Sequence, residues 1–417
     1  MHPSRETRAT GGRVVVTGMG TISALGLDLP TTWAALIAGE TGIAPITRFD
    51  ATDFPTTFAA EVKGFDPTVL GRKEHRRMDR ATQFAVVAAR EAVAAAKLDP
   101  SQPPERIAVL VGTAMGGIET YSENVRLLLN QGPRRISPFA VPMAIPNMAP
   151  GCVAIDLGAK GPNFAIASSF TGGANAIVEG ARLIADGRAD VAIVGGTEAP
   201  ICDIVSAGFA AMGALSDRND DPQHAVKPFD LRRNGCVLGE GSAMLVLEDH
   251  DRATARGATI LAEIAGMANT ADAFHQVALP DDGEGLVRAM RLAVGKAGIT
   301  PEDIGYINAH GTATEMNDRV EAAAIHTVFG ARTPPVSSTK AATGHTLGAA
   351  GALEAVIAIE ALRTGTLPPT RNHDNEDPGI ALDVIPNISR PARIGAAMSN
   401  SMGFGGHNTV LIFTRPD

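Results

Sequence analysis

Two histidines sit in surroundings that could do chemistry. His310 closes an apolar run, Ile307-Asn308-Ala309, and is followed by Gly311, Thr312, Ala313 and Thr314. His345 follows Thr343 and Gly344, comes five residues after Lys340, and precedes the small-residue stretch Leu347–Leu362. A lone histidine is more often a satisfied structural group, but one at a strand end beside glycine and threonine opens into a cleft. Two such imidazoles with a lysine nearby could bind a developing oxyanion or move protons. The segment Ser399–Asn408 is glycine-rich. It reads either as a tight loop before a last strand, or as a backbone whose N–H groups approach a ligand under a mobile Phe404. No Lys-Ser/Thr pair follows these glycines, which excludes a phosphate loop.

The elements that must position these residues are written in the hydrophobic pattern. Short β-branched runs recur at Val14–Gly18, Ile107–Gly112, Val191–Gly196, Ala243–Glu248 and Thr409–Phe413, each too apolar to have one wet face. Helical spacing predicts helices over Ala81–Lys97, Thr171–Asp186 and Ala349–Leu362. Strands alternating with helices of this length predict an α/β protein whose mainly parallel sheet is covered on both faces. The order of elements is similar in the two halves, with a seam near Asp249–Gly257.

Composition bounds the function. The 417 residues include 45 glycines, are 45% hydrophobic and only 4% aromatic, which suits tightly packed α/β layers with a sizeable core. A net charge of −9 argues against a nucleic-acid binder. Three cysteines, Cys152, Cys202 and Cys236, form neither a disulfide framework nor a zinc-ligand spacing, so no metal is expected. Cys152 and Cys202 read as plain thiols of a reducing cytosol. The polar start Met1–Gly11 has no apolar stretch behind it, and other apolar runs are broken by charge, so a cytoplasmic protein that crosses no membrane is expected.

The segments Asn308–Asp318 (NAHGTATEMND), Ser337–Ala355 (SSTKAATGHTLGAAGALEA) and Ser399–Asn408 (SNSMGFGGHN) resemble the three C-terminal motifs of the elongating β-ketoacyl-acyl-carrier-protein synthases. Arg13–Gly26, Ile136–Gly151, Asp190–Ala199 and Gly239–Glu248 match the same family in order. The resemblance implies a thiolase fold, two similar α/β halves stacked as five layers, with residues 1–12 a flexible tail, 13–252 the first half and 253–417 the second. It implies decarboxylative Claisen condensation of a malonyl thioester, in fatty-acid or polyketide synthesis, on a phosphopantetheine arm brought by an acyl carrier protein. No permanently bound cofactor is expected. A homodimer, or a heterodimer with a second ketosynthase-like subunit, is implied as the working form.

Carried over residue by residue, His310 and His345 resemble the pair that activates the malonyl group and stabilises its decarboxylation product. Lys340 resembles the lysine that supports them, and Glu354 the buried glutamate behind it. Thr312 and Thr314 resemble the hydroxyls that hold the pantetheine arm, Phe404 the gatekeeper, and Met115 the side chain that limits acyl-chain depth. Phe209 is placed with these substrate-binding residues. The basic stretch Arg72–Arg80 reads as a solvated face or, by the resemblance, as a docking patch for the acidic carrier, with Lys73, Arg76 and Arg77 its contacts.

One position breaks the pattern. The family's nucleophilic cysteine opens a helix whose N-terminus lowers its pKa, and here Phe170 stands in that place. A phenyl ring cannot form a thioester, and Ser168 and Ser169 sit off the elbow. Cys236 occupies a position where the family usually has phenylalanine, so phenylalanine and cysteine are exchanged and the summed volume is nearly kept. Three readings follow: a nucleophile relocated to Cys236 and activated by His310 or His345, a volume compensation in a site without covalent chemistry, or an engineered block at Phe170. The functions in play are a condensing enzyme, a non-acylating chain-length-factor-like partner, and a malonyl decarboxylase. Retention of both histidines and Lys340 favours chemistry over the partner role.

Overall fold

The computed structural model describes residues 12–98 and 101–416. The expected tail at 1–12 therefore lies almost wholly outside the described residues. Among the described residues ten strands form the main sheet, five of them in the first part of the chain: β1 Val14–Ser23, β2 Ile107–Gly112, β3 Asn163–Ile166, β4 Val191–Glu198 and β5 Gly241–Asp249. Five more follow: β6 Ala262–Ala271, β7 Ile304–Asn308, β8 Val336–Ser337, β9 Ala396–Gly403 and β10 His407–Thr414. Neighbours run β8-β7-β9-β10-β6-β1-β5-β4-β2-β3.

That order contains a repeat. Counting outward from β1 and from β6, both halves place their strands first, fifth, fourth, second, third. The senses repeat too: first with fifth and fifth with fourth antiparallel, fourth with second and second with third parallel. The halves join where Val15 and Val16 pair with Glu263 and Ala262. With that antiparallel join, the sheet is more evenly mixed than the apolar runs suggested. Runs buried on both faces look alike in either sense, so composition carries no sign of strand direction.

The main helices are α1 Arg80–Ala96, α2 Gly172–Ala185, α3 Glu284–Ala297, α4 Glu315–Phe329 and α5 Ala350–Thr364. Helices α2 and α5 pack on each other between the two halves, α1 covers β1 and β5 outside, and α3 and α4 cover the other outer face. This gives five layers. Every residue of Ala350–Leu362 is buried, because α5 is apolar nearly all round and lies in the central layer. Close approach of α1 to β1 depends on small residues. A Cβ on Gly20 would stand 2.3 Å from the Ala88 carbonyl oxygen, so no larger residue fits without moving the helix.

The architecture gathers loops at one end of the strands. Phe170 follows β3 and enters α2, while Lys340 and His345 follow β8 and precede α5. His310 follows β7, and Phe404 lies between β9 and β10. Because β3-α2 and β8-α5 are equivalent units of the repeat, Phe170 and His345 approach one chamber from matching positions in the two halves. Among the described residues no helix is long and apolar enough to cross a membrane.

Candidate active site

His310 is 2% exposed and its loop is held from behind. The Glu321 carboxylate accepts the backbone N–H groups of His310 at 2.9 Å and Gly311 at 2.8 Å. Lys340 lies 1% exposed beneath the ring, ion-paired with Glu354. Its ammonium donates to the His310 carbonyl at 2.5 Å and stands 3.4 Å from His310 Nδ1. An ammonium can only donate, so Nδ1 accepts and the His310 proton belongs on Nε2.

His345 reaches the same tautomer by another route. Its Nδ1 accepts the Leu347 N–H at 3.3 Å, which leaves the proton on Nε2, a buried atom with no hydrogen-bond partner among the described residues. The rings of His310 and His345 are 5.3 Å apart and nearly perpendicular. Burial pushes both pKa values well below the ordinary histidine range, and the Lys340 charge pushes them further. Two neutral imidazoles thus offer N–H donors to one space, as an oxyanion site requires.

Phe170 fills the middle of that space. Its ring centroid lies 4.6 Å from His345, 6.4 Å from His310, 4.7 Å from Phe404 and 6.2 Å from Phe209. The backbone beneath it keeps an elbow: Ser169 has a φ of 54°, in the left-handed region. Ser168 is not free for chemistry, since its hydroxyl accepts from Asn175 at 2.7 Å. A cavity of about 460 Å³ leads from the surface to both histidines, lined also by Phe170, Phe209, Cys236, Thr312, Thr314 and Phe404. The Thr312 and Thr314 hydroxyls are 2.9 Å apart in its wall. Met115 joins the apolar cluster of Phe170 and Phe209 without lining the cavity.

Cys236 lines the same chamber. Its segment is stitched to the histidine, with the His345 N–H donating to the Val237 carbonyl at 2.8 Å and the Gly239 N–H donating to the His345 carbonyl at 3.0 Å. Yet among the described residues the thiol makes no hydrogen bond to either imidazole. Burial pushes its pKa up to about 12, against only a partial pull from Lys340. Both rings spend Nδ1 on other donors and present N–H groups to the chamber. Cys202, read as a plain thiol, shares this apolar cluster.

Lys73, Arg76 and Arg77 lie away from the chamber, exposed on and beside the turn His75–Arg77. The Arg77 guanidinium packs 4.8 Å from the centre of the Phe139 ring. That contact places the segment carrying Arg134 and Arg135, both exposed, alongside the patch. Sequence reading missed this extension because the segments are distant in the chain. It also missed Glu321, whose signal was a carboxylate on the apolar face of α4 beside Val320, Ala324 and Ile325.

A thiolase fold with paired neutral histidines above a buried lysine defines a class of enzymes that act on thioesters. Comparison with known proteins is narrower. Residues 12–253 match the β-ketoacyl synthase N-terminal domain and residues 261–374 its C-terminal domain. The 3-oxoacyl-[acyl-carrier-protein] synthase 2 of Synechocystis sp. is 48% identical over 407 residues, 97% of this chain and 98% of that protein. The same values hold for the enzyme of that name from Staphylococcus aureus strain COL. Among solved structures, the ishigamide ketosynthase/chain length factor superposes with a TM-score of 0.92 at 36% identity, covering 98% of this chain and all of that one. A type II polyketide ketosynthase, solved with its acyl carrier protein and bound to the hexaketide, gives 0.91 at 33% identity, covering 97% of this chain and all of that one. The chain belongs to the β-ketoacyl synthase family, the acyltransferase-type condensing enzymes of fatty-acid and polyketide synthesis.

The Lys340–Glu354 pair yields a stability prediction. Lys340→Met leaves a buried carboxylate without its cation and should lower the unfolding free energy by about 3–5 kcal/mol, whereas Lys340→Met with Glu354→Leu recovers most of it. Urea unfolding measures both, and an unchanged midpoint in the single variant would show that the pair carries no such burden.

Proposed function

We propose that this chain is a cytoplasmic enzyme that receives malonyl thioesters on the phosphopantetheine arm of an acyl carrier protein and decarboxylates them with His310 and His345. It thus performs the malonyl half of the condensing reaction, while residue 170 accepts no acyl group. The observation that carries this reading is the Phe170 ring, 4.6 Å from His345 and 4.7 Å from Phe404, which puts an unreactive side chain in the chamber while both histidines line an open cavity.

The residues divide the work as follows. Thr312 and Thr314 hold the arm along the cavity wall. The thioester carbonyl accepts from Nε2–H of His310 and His345, which draws electron density toward oxygen. The bond between the α-carbon and the carboxylate breaks, its electron pair forms the enolate, and carbon dioxide leaves. The enolate takes a proton from water entering the cavity, giving the acetyl thioester. Neutral imidazoles suit this step because a donor that keeps its proton stabilises the enolate without quenching it early. Lys340 keeps them neutral, Glu354 balances Lys340, and Phe404 covers Phe170 at the chamber wall.

A second reading is full condensation with the acyl group carried by Cys236. The thiol's place in the cavity lining favours it. Its lack of a base and a pKa of about 12 weigh against it. A purely non-acylating subunit would have no use for the Lys340–His310–His345 arrangement.

The carrier docks on Lys73, Arg76, Arg77, Arg134 and Arg135, an exposed basic island on an acidic protein. A second copy of the chain pairs along β3, an edge strand whose Phe164 is exposed, as is Ile155 on the helix Met148–Leu157 packed against it.

Assayed with malonyl-carrier, the protein should release carbon dioxide and form acetyl-carrier, and incubation with acyl-carrier should add no mass to the intact chain. An acyl adduct at Cys236 would sink this reading in favour of the second. Phe170→Cys should gain condensing activity, because the elbow and the N-terminus of α2 are in place to activate a thiol there. Reversing Arg76 and Arg77 to glutamate should raise the KM for carrier-bound substrate about tenfold at low salt and less at high salt; equal effects at both would remove the docking patch. Light scattering should give twice the chain mass, and a monomer would overturn the β3 interface.

A further inference from the structure

Glu198 is fully buried at the end of β4, and the chemistry above gives it nothing to do. Its carboxylate nevertheless collects four hydrogen bonds. One oxygen accepts the Thr113 hydroxyl at 2.8 Å and the Met115 N–H at 3.2 Å. The other accepts the Ala114 N–H at 2.5 Å and the Gly348 N–H at 3.0 Å. The site is also tightly closed, since a Cβ on Gly348 would stand 2.5 Å from that second oxygen. The first three donors lie in the loop that carries Met115 beside the Phe170 cluster. Gly348 directly follows Leu347, whose N–H fixes Nδ1 of His345.

We propose that Glu198 is a positioning residue whose ionised carboxylate ties the Thr113–Met115 loop to the Leu347–Gly348 turn, so holding the tautomer and orientation of His345, and that protonation loosens this tie. All four partners donate to the ionised carboxylate, and Thr113, being a hydroxyl, can also accept. A protonated acid is a poorer acceptor for backbone N–H groups, so the hydrogen bonds from Ala114, Met115 and Gly348 weaken and the tie to the Leu347–Gly348 turn loosens.

Burial pushes the Glu198 pKa up to about 7, against the pull of the hydrogen bonds from Ala114, Thr113, Met115 and Gly348. Its direct partners are all uncharged. The titratable groups on the elements packed against it are His345, on the turn side, and Glu240, beside Gly241 opposite Glu198 and bound to Arg80. Both active-site imidazoles stay neutral to well below this range, so neither generates an inflection near pH 7. Glu354, also raised to about 7, is the competing source. The sign follows directly: the tie is intact above pH 7 and lost as pH falls through it.

The test follows kcat for carbon dioxide release from malonyl-carrier across pH, together with the ring nitrogen signals of His345 in protein labelled with ¹⁵N-histidine. Wild type should lose activity on the acid side near pH 7, and the His345 signals should move with the same midpoint. Thr113→Val removes one hydrogen bond to the ionised form and should shift both midpoints upward by roughly half a pH unit or more. Glu198→Gln should abolish the inflection and lower kcat with KM little changed; Thr113→Val retains the carboxylate and decides the matter if the glutamine variant does not fold. Midpoints unmoved by Thr113→Val, or an inflection that disappears in Glu354→Gln instead, would overturn the assignment. The kinetic arm rests on the proposed decarboxylation and the ring signals do not. Absence of carbon dioxide release at every pH, with the His345 ring signals still moving near pH 7 as described, would therefore count against the decarboxylation reading alone.

Discussion

An ammonium group held 1% exposed beside an imidazole sets the terms for everything in this chamber. Lys340 is tolerated in the core because Glu354 supplies the opposite charge and the His310 carbonyl takes a further proton. Its positive field, added to burial, keeps His310 and His345 from accepting protons of their own. The two rings are consequently locked as donors, one by the lysine and the other by the Leu347 N–H. Outer groups serve this arrangement: Glu321 fixes the backbone of His310 through two N–H groups, and Glu198 reaches the turn beyond His345.

Phe170 and Cys236 belong to one apolar cluster with Phe209, Leu215, Leu238 and Leu347, in which summed side-chain volume is constrained by close packing. Ser169 holds a left-handed φ of 54° immediately before Phe170, at the entry to α2. A thiolate needs a helix N-terminus, a cation or a base close by, and at position 236 the cost of burying the charge outweighs the pull of Lys340.

Much of the fold was legible in the residues. Ile107–Gly112 reads as a strand and is β2 to the residue, because an apolar β-branched run is bounded by Arg106 and Thr113. Helix α1 spans Arg80–Ala96 against an expected Ala81–Lys97, since helical periodicity marks the middle of an element better than its ends. The short edge strand β3, Asn163–Ile166, does not stand out in the hydrophobic pattern. Four residues with mixed polarity carry little periodic signal, and their pairing partner in β2 lies far back in the chain. The histidines, Lys340, Glu354 and Phe404 were legible through their motifs, whereas Glu321 and Glu198 looked like ordinary acids on a helix and at a strand end.

By itself the sequence determined what local neighbours can determine: where strands and helices form, which residue types stand at their ends, and that residue 170 lacks a nucleophile. The tertiary structure decided the repeated strand order, the protonation states and the fate of Cys236. Those properties depend on groups distant in the chain, such as Glu198 and Gly348, which are 150 positions apart. Acidity and tautomer are set by burial and by hydrogen-bond partners, and neither exists until the chain has closed around them.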